Sequence, residues 1–282
     1  MNADARMSFS AYWFCAKARA FLWRDLLFET SYKLQSLFRV LAVLLQIVTF
    51  YFLSTLVGGE RTREHLESYG EDYFTFVLVG IAFSGVVDAG LLGFTQAIRQ
   101  QLTIGVFEAM AAAPIRSAAL LFHSMLWPLA FELAKSVLYL SLGAVFFGAR
   151  VRVVDAALLA ATVALSVLVF GSLGLIAASL IVYFKRGDPL AWLLSTVTVL
   201  IGGVYFPVSV LPGWLESLAK LIPVPYALDL FRASLIPSAA RPNPAADLLA
   251  LGAFALVLVP AGWLVSTRLV EKARAEGSLG QY

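Results

Sequence analysis

Histidine, cysteine and charge are all scarce in this chain of 282 residues, and each scarcity closes off a class of function. There are 2 histidines and 1 cysteine. Cys15 has no partner for an intramolecular disulfide. His65, beside Arg63 and Glu64 in a polar stretch, and His123, near a membrane interface, each lack the second His or Cys that a metal site needs. No G-x-x-x-x-G-K-[ST] phosphate loop occurs, so ATP is not bound here by that route. Nor is there an H-E-x-x-H, C-x-x-C or G-x-S-x-G pattern, which leaves metalloprotease, redox and serine-hydrolase chemistry without support. No catalytic or metal-ligating residue is assigned, and no cofactor is expected on this chain. Charged residues make up 14% and the net charge is +3, too weak a basic balance for a nucleic-acid partner.

What the chain has is apolar length. Sixty per cent of it is hydrophobic and its mean hydropathy is +0.83, outside the range of water-soluble domains. A helical crossing needs roughly 20 apolar residues, and six runs qualify: Arg39 to Val57, Tyr73 to Ile98, Ala118 to Phe147, Asp155 to Phe184, Pro189 to Pro207 and Ala246 to Thr267. They are continuously apolar, not alternating, which rejects a β-barrel. Pro128 is expected to kink the third run. The fold class is therefore all-α integral membrane. Residues 1–38 form an N-terminal interfacial segment, 39–267 a six-helix transmembrane domain and 268–282 a cytoplasmic tail.

Thirteen of the 21 Lys and Arg residues fall on one side when the N-terminus is placed inside, among them Lys17, Arg24, Lys33, Arg99, Lys185, Arg186, Arg268 and Lys272. Both termini are then cytoplasmic, in a plasma (inner) membrane, and the basic flanks face anionic lipid headgroups. No cleavable signal peptide is expected, because Lys17, Arg19 and Arg24 break the first apolar stretch. At 100° per residue Phe9, Trp13, Ala16, Ala20, Trp23 and Leu27 form a narrow stripe, the pattern of a helix lying in the interface. A basic tail that becomes helical only near the membrane is the competing reading.

Between the second and third runs lies QLTIGVFEAMAAAPIRSAALL, Gln101 to Leu121. Its Ala-rich stretch from Glu108 to Ala113 is a strong helix former bracketed by Gly105 and Pro114, and a short rigid rod of this kind transmits a push. A solvated loop without a partner remains open. Gly105-Val106-Phe107-Glu108 with Pro114 resembles the Gly-Thr-Leu-Glu and following proline of ABC-2 permeases, although Val106 replaces the usual threonine. In that family this loop is the cytoplasmic coupling helix that meets the ATPase. The EAA loop of importer permeases fits worse, because Pro114 stands where that motif has glycine and Ser124 where it has isoleucine.

The stretch from Gly202 to Leu235, GGVYFPVSVLPGWLESLAKLIPVPYALDLFRASL, resembles the end of the same permease domain. The matching elements are Gly203 to Pro207, Leu211-Pro212 with Trp214, Pro223, Pro225-Tyr226-Ala227-Leu228 and Arg232. The prolines divide it into two short amphipathic helices, Gly213 to Ile222 and Tyr226 to Leu235, each too short to cross. Re-entrant helices that shape the exit of a transport path are expected, with a simple surface-lying loop as the alternative.

Three ionisable residues fall near mid-span, where charge is expensive: Asp88 in the second run, and Glu132 and Lys135 in the third. Glu132 and Lys135 are three apart and can pair on one helix face, and Asp88 can share Lys135. Structural pairing and a role in the pathway are both open. The resemblance implies a permease of an ATP-driven exporter, with ATP and Mg on a separate ABC ATPase subunit and a second permease copy completing a dimer. The cargo it implies is an amphiphilic or lipid-linked molecule, glycan or drug-like. An ion-coupled secondary transporter or channel is the first alternative, weakened by the lack of a visible internal repeat. A membrane-bound transferase is the second.

Overall fold

The computed structural model describes residues 19–20, 22–23, 26–27, 33–57, 59, 66–70, 72–103, 117–184, 189–237 and 244–275. In chain order the helices are α1 (Lys33–Val57), α2 (Tyr73–Thr103), α3 (Ser117–Phe147), α4 (Ala156–Phe184), α5 (Pro189–Ile201), α6 (Gly213–Ala219), α7 (Val224–Leu235) and α8 (Pro244–Ala275). Single 3-10 turns stand at Glu67–Tyr69 and Val208–Val210, and no strand occurs among the described residues.

Five helices, α1 to α4 and α8, are long and apolar enough to cross a membrane. The chain is a multi-pass membrane protein. The fifth apolar run departs from the expected span of Pro189 to Pro207. Its helix ends at Ile201 after 13 residues, about 20 Å of rise against a hydrocarbon core of about 30 Å. Gly202 and Gly203 follow, and Gly203 has φ +88°, a left-handed conformation that stops the helix and that side-chain-bearing residues seldom adopt. The last apolar run goes the other way. It was expected to end at Thr267, but α8 continues to Ala275, so the start of the 268–282 segment is helical.

Polar residues set where the crossings begin. Asp72 precedes α2 and accepts hydrogen bonds from the backbone N–H groups of Phe74 and Thr75, at 3.2 and 3.3 Å, and from the Thr75 hydroxyl. Asp155 does the same for α4 through Leu158 N–H at 2.9 Å. Each carboxylate satisfies donors that a helix start leaves orphaned and complements the helix dipole. The link between α3 and α4 is stitched down beside them. Arg152 and Val154 donate backbone N–H bonds to the carbonyls of Leu235 and Ser234, both at 2.8 Å, and Arg150 N–H donates to the Thr75 hydroxyl at 3.0 Å.

α2 is the centre of the bundle, packed by α1, α3, α4, α5 and α7. Of its apolar window 78% is buried, against 11% for α1, which lies on the periphery. α4 packs on both α2 and α8. Gly174 permits the closest part of that contact, because a Cβ there would run into the backbone carbonyl of Gly90 on α2. Small residues at such crossings let helices pack by van der Waals contact where lipid offers no hydrophobic drive.

The two short helices near the end differ in kind. α7 is core: Val224, Ala227, Leu228, Leu230, Phe231 and Leu235 are all buried. α6 buries only Ala219 and leaves Trp214 69% exposed. Of the expected N-terminal stripe, Phe9, Trp13 and Ala16 lie outside the described residues, while Ala20, Trp23 and Leu27 are helical and exposed.

Candidate functional site

The three mid-span charges belong to one polar seam shared by α1, α2, α3 and α5. On α3, Lys135 Nζ lies 2.5 Å from Glu132 Oε2 and donates to Oε1 at 2.6 Å. A helix places residues three apart on one face, so the pairing is local and needs no tertiary help. Tertiary structure decides where the pair points. It faces Gly85 of α2, where an added Cβ would lie 2.6 Å from Glu132 Oε2. One turn on, the Ser136 hydroxyl donates to the Ala82 carbonyl at 2.5 Å and fixes α3 against α2 at this level.

Asp88 stands one helical turn from Gly85, and its carboxylate accepts a 2.6 Å hydrogen bond from the Ser195 hydroxyl of α5. The Lys135 stem comes to the same place, since a Cβ added at Gly85 would lie 3.8 Å from its Cε. Arg39 of α1 sits with its guanidinium 4.9 Å from the ring centroid of Phe131, the residue before Glu132. Further along the seam the Tyr139 hydroxyl donates to the Gln46 side-chain carbonyl. Beyond that, Phe50 of α1 stacks on Tyr205 at 5.3 Å, with the rings 13° from parallel.

Sequence reasoning singled out Asp88, Glu132 and Lys135 and missed Ser195, Gln46, Tyr139 and Tyr205 as their neighbours. Gln46 carries a usable signal, an amide in the middle of an otherwise apolar run. Ser195 carries none, because serine and threonine hydroxyls that bond their own helix are common in membrane spans. Thr49, Ser54 and Thr55 of α1 do so here.

A second constellation lies where α5 gives way to α7. Arg232 is the largest fully buried side chain, 1% exposed. Its Nη2 donates to the carbonyls of Gly203 at 2.9 Å and of Phe76 and Val204 at 3.2 Å. The guanidinium lies 3.5 Å from the Phe76 ring centroid and 5.5 Å from that of Tyr69. Asp229, 3.9 Å from Nη1, accepts from the Tyr69 hydroxyl at 3.1 Å. Gly80 makes room, since a Cβ there would stand 2.9 Å from Nη2. One cation thus joins α2, α7 and the turn after α5.

The prolines of this region do local work. Pro207 precedes the 3-10 turn at Val208–Val210, Pro212 precedes α6, Pro223 precedes α7, and Pro225 stands in its first turn, where the missing N–H costs nothing. Tyr226 donates its hydroxyl to the Lys220 carbonyl at 2.9 Å, closing the α6–α7 turn. On the exposed α6, Glu216 lies 2.7 Å from Lys220 and holds that ammonium above the usual lysine pKa. Gly105, Glu108 and Pro114 lie outside the described residues, between the end of α2 at Thr103 and the start of α3 at Ser117.

Two comparisons bear on identity. No curated protein matches the chain. The sequence pattern of the ABC-2 type transporter family matches residues 17–236, well over half of the chain and including both the seam and the Arg232 constellation. Permeases of this family associate with an ABC ATPase and are not themselves the catalytic component. With its five long apolar helices, this chain belongs to the ABC-2 type transporter family, as a multi-pass membrane permease.

Proposed function

We propose that this permease works in export, moving an amphiphilic or lipid-linked molecule, glycan or drug-like, out of the cytoplasm by alternating access. In this reading ATP and Mg are bound by a separate ABC ATPase, a second permease copy completes the pathway, and the assembly sits in the plasma (inner) membrane. Both termini are cytoplasmic, and α5, too short to cross as a helix, is completed by the chain to Pro207 as the fifth of six crossings. The observation that carries the reading is the seam: three helices of a membrane protein bring Asp88, Glu132, Lys135 and Ser195 together within the span, with Arg39 near the start of α1 beside them, and such groups are costly there unless they pair or a pathway uses them. The direction of transport rests on the coupling segment and the Gly202 to Leu235 stretch, which resemble the exporter pattern and not the importer loop.

The test uses the chain reconstituted with its ATPase in vesicles. Glu108→Ala combined with Pro114→Ala is expected to leave insertion and assembly intact and to lower transport and transport-coupled ATP hydrolysis together, because neither residue falls within one of the six apolar runs of the sequence. Wild-type transport by the double variant with its ATPase bound would remove the coupling role. If no ATPase co-purifies and transport follows an ion gradient instead, the exporter reading falls to a secondary transporter in which Asp88, Glu132 and Lys135 relay ions.

A further inference from the structure

The seam limits the chemistry of the cargo, an inference that rests on the permease reading. By formal charge its side chains balance, Asp88 and Glu132 standing against Lys135 and Arg39. Beside them are neutral donors and acceptors, Ser195, Gln46 and Tyr139. The charged pair on α3 is only partly sealed: the side chains of Lys135 and Glu132 keep 30% and 19% of their exposure, although Glu132 Oε2 itself is buried. At this depth exposure faces lipid, another chain or a passing molecule, and a charge held against lipid alone is costly. α1, which lines one edge of the seam, is the least buried of the long helices and leaves its outer face to the bilayer.

We propose that this seam is the track for the polar headgroup of an amphiphile, and that the headgroup is net neutral, either uncharged or zwitterionic. A headgroup of net charge entering a balanced set brings an uncompensated charge into low dielectric. A neutral one exchanges hydrogen bonds with the alternating acceptors and donors along the seam while its tail stays in lipid beside α1. The Phe50–Tyr205 stack marks the far end of the track, an apolar stop beyond the charged residues.

The experiment places the full chain with its ATPase in nanodiscs containing one of four photoreactive lipids. Each carries the same diazirine close to the glycerol, and the headgroups are a monoglycosyl diacylglycerol, phosphatidylcholine, phosphatidylglycerol and the cationic ethylphosphatidylcholine. Cross-linked peptides are read by mass spectrometry. The uncharged and zwitterionic lipids are expected to label peptides bearing Gln46, Glu132 or Ser195 about tenfold more than either charged lipid, since an unpaired charge in such a site costs at least that ratio. Glu132→Gln leaves the seam net positive and is expected to move the preference to phosphatidylglycerol. Lys135→Gln leaves it net negative and moves it to ethylphosphatidylcholine. Equal labelling by all four lipids, or a wild-type preference for a charged headgroup, overturns the proposal. So does a preference that neither substitution changes. Should a variant fail to fold, the wild-type ranking decides alone. The ranking needs no ATP, so a flat ranking with the ATPase bound removes this inference and leaves the permease reading standing. The expected ranking without an ATPase partner does the reverse.

Discussion

Arg232 and Lys135 are both cations inside a hydrophobic protein, and they are housed in opposite ways. Arg232 is shut in: three backbone carbonyls meet one nitrogen, two aromatic rings flank the guanidinium and Asp229 stands nearby. Lys135 has a single close carboxylate on its own helix and stays part-exposed. A planar guanidinium with fixed N–H directions suits a cage of carbonyls, whereas an ammonium on a flexible stem suits a position whose partners change. The first arrangement is architecture, joining α2, α7 and the turn after α5. The second belongs to the seam from which the transport reading is drawn.

Breaking the cage should have the largest effect. Arg232→Ala takes the donor from the carbonyls of Gly203 and Val204 and the cation from Phe76 and Asp229, and a loss of about 3–5 kcal/mol is expected. It would be read as a large fall in thermal midpoint in detergent. Arg232→Lys should recover little of it, because one ammonium cannot both lie flat on Phe76 and reach the same carbonyls. A near wild-type midpoint for Arg232→Lys would show that charge alone holds the region.

The Glu132–Lys135 pair sharpens the contrast at intermediate cost. Lys135→Ala leaves a carboxylate short of its partner beside Gly85, and Glu132→Gln in the same chain should restore part of the lost stability. A coupling energy of about 0.5–3 kcal/mol is expected from the four-member cycle. Strict additivity would mean that Lys135 is not held by Glu132 and would leave its ammonium to the cargo.

Ser195→Ala is the mildest of the three. It removes the hydroxyl that meets Asp88 and should cost about 1 kcal/mol, with no change in assembly. Because that bond ties α5 to α2, the telling measurement is faster labelling of a cysteine placed at the exposed Trp192 or Leu200. Unchanged labelling would show that α5 is held by packing and not by the Asp88 contact.

Much of this was legible in the sequence, for a physical reason that applies throughout the chain. A crossing must satisfy its own backbone, so apolar length alone marks α1 to α4 and α8, and their ends agree with the sequence runs within a few residues at most places. Local chemistry was equally readable: Glu132 and Lys135 meet because a helix brings residues three apart together, and Pro212 marks the start of the first short helix, whereas the second begins at Val224, two residues before the expected Tyr226. The resemblance in the Gly202 to Leu235 stretch also marked Arg232, though not what it holds.

Only the tertiary structure decided the rest, because those contacts join residues far apart in the chain. Nothing in composition distinguishes α2 as the buried hub from α1 as the exposed edge, since both are continuously apolar and lipid is as good an apolar neighbour as protein. The end of α5 at Ile201 depended on a left-handed glycine that a hydropathy window does not register. Arg232 was marked by the resemblance without a partner, until folding carried Gly203, Val204 and Phe76 to it from 28 to 156 positions away. The mid-span acids and base were visible one by one in the sequence, but their assembly with Ser195, Gln46 and Tyr139 into one seam exists only in the packed bundle.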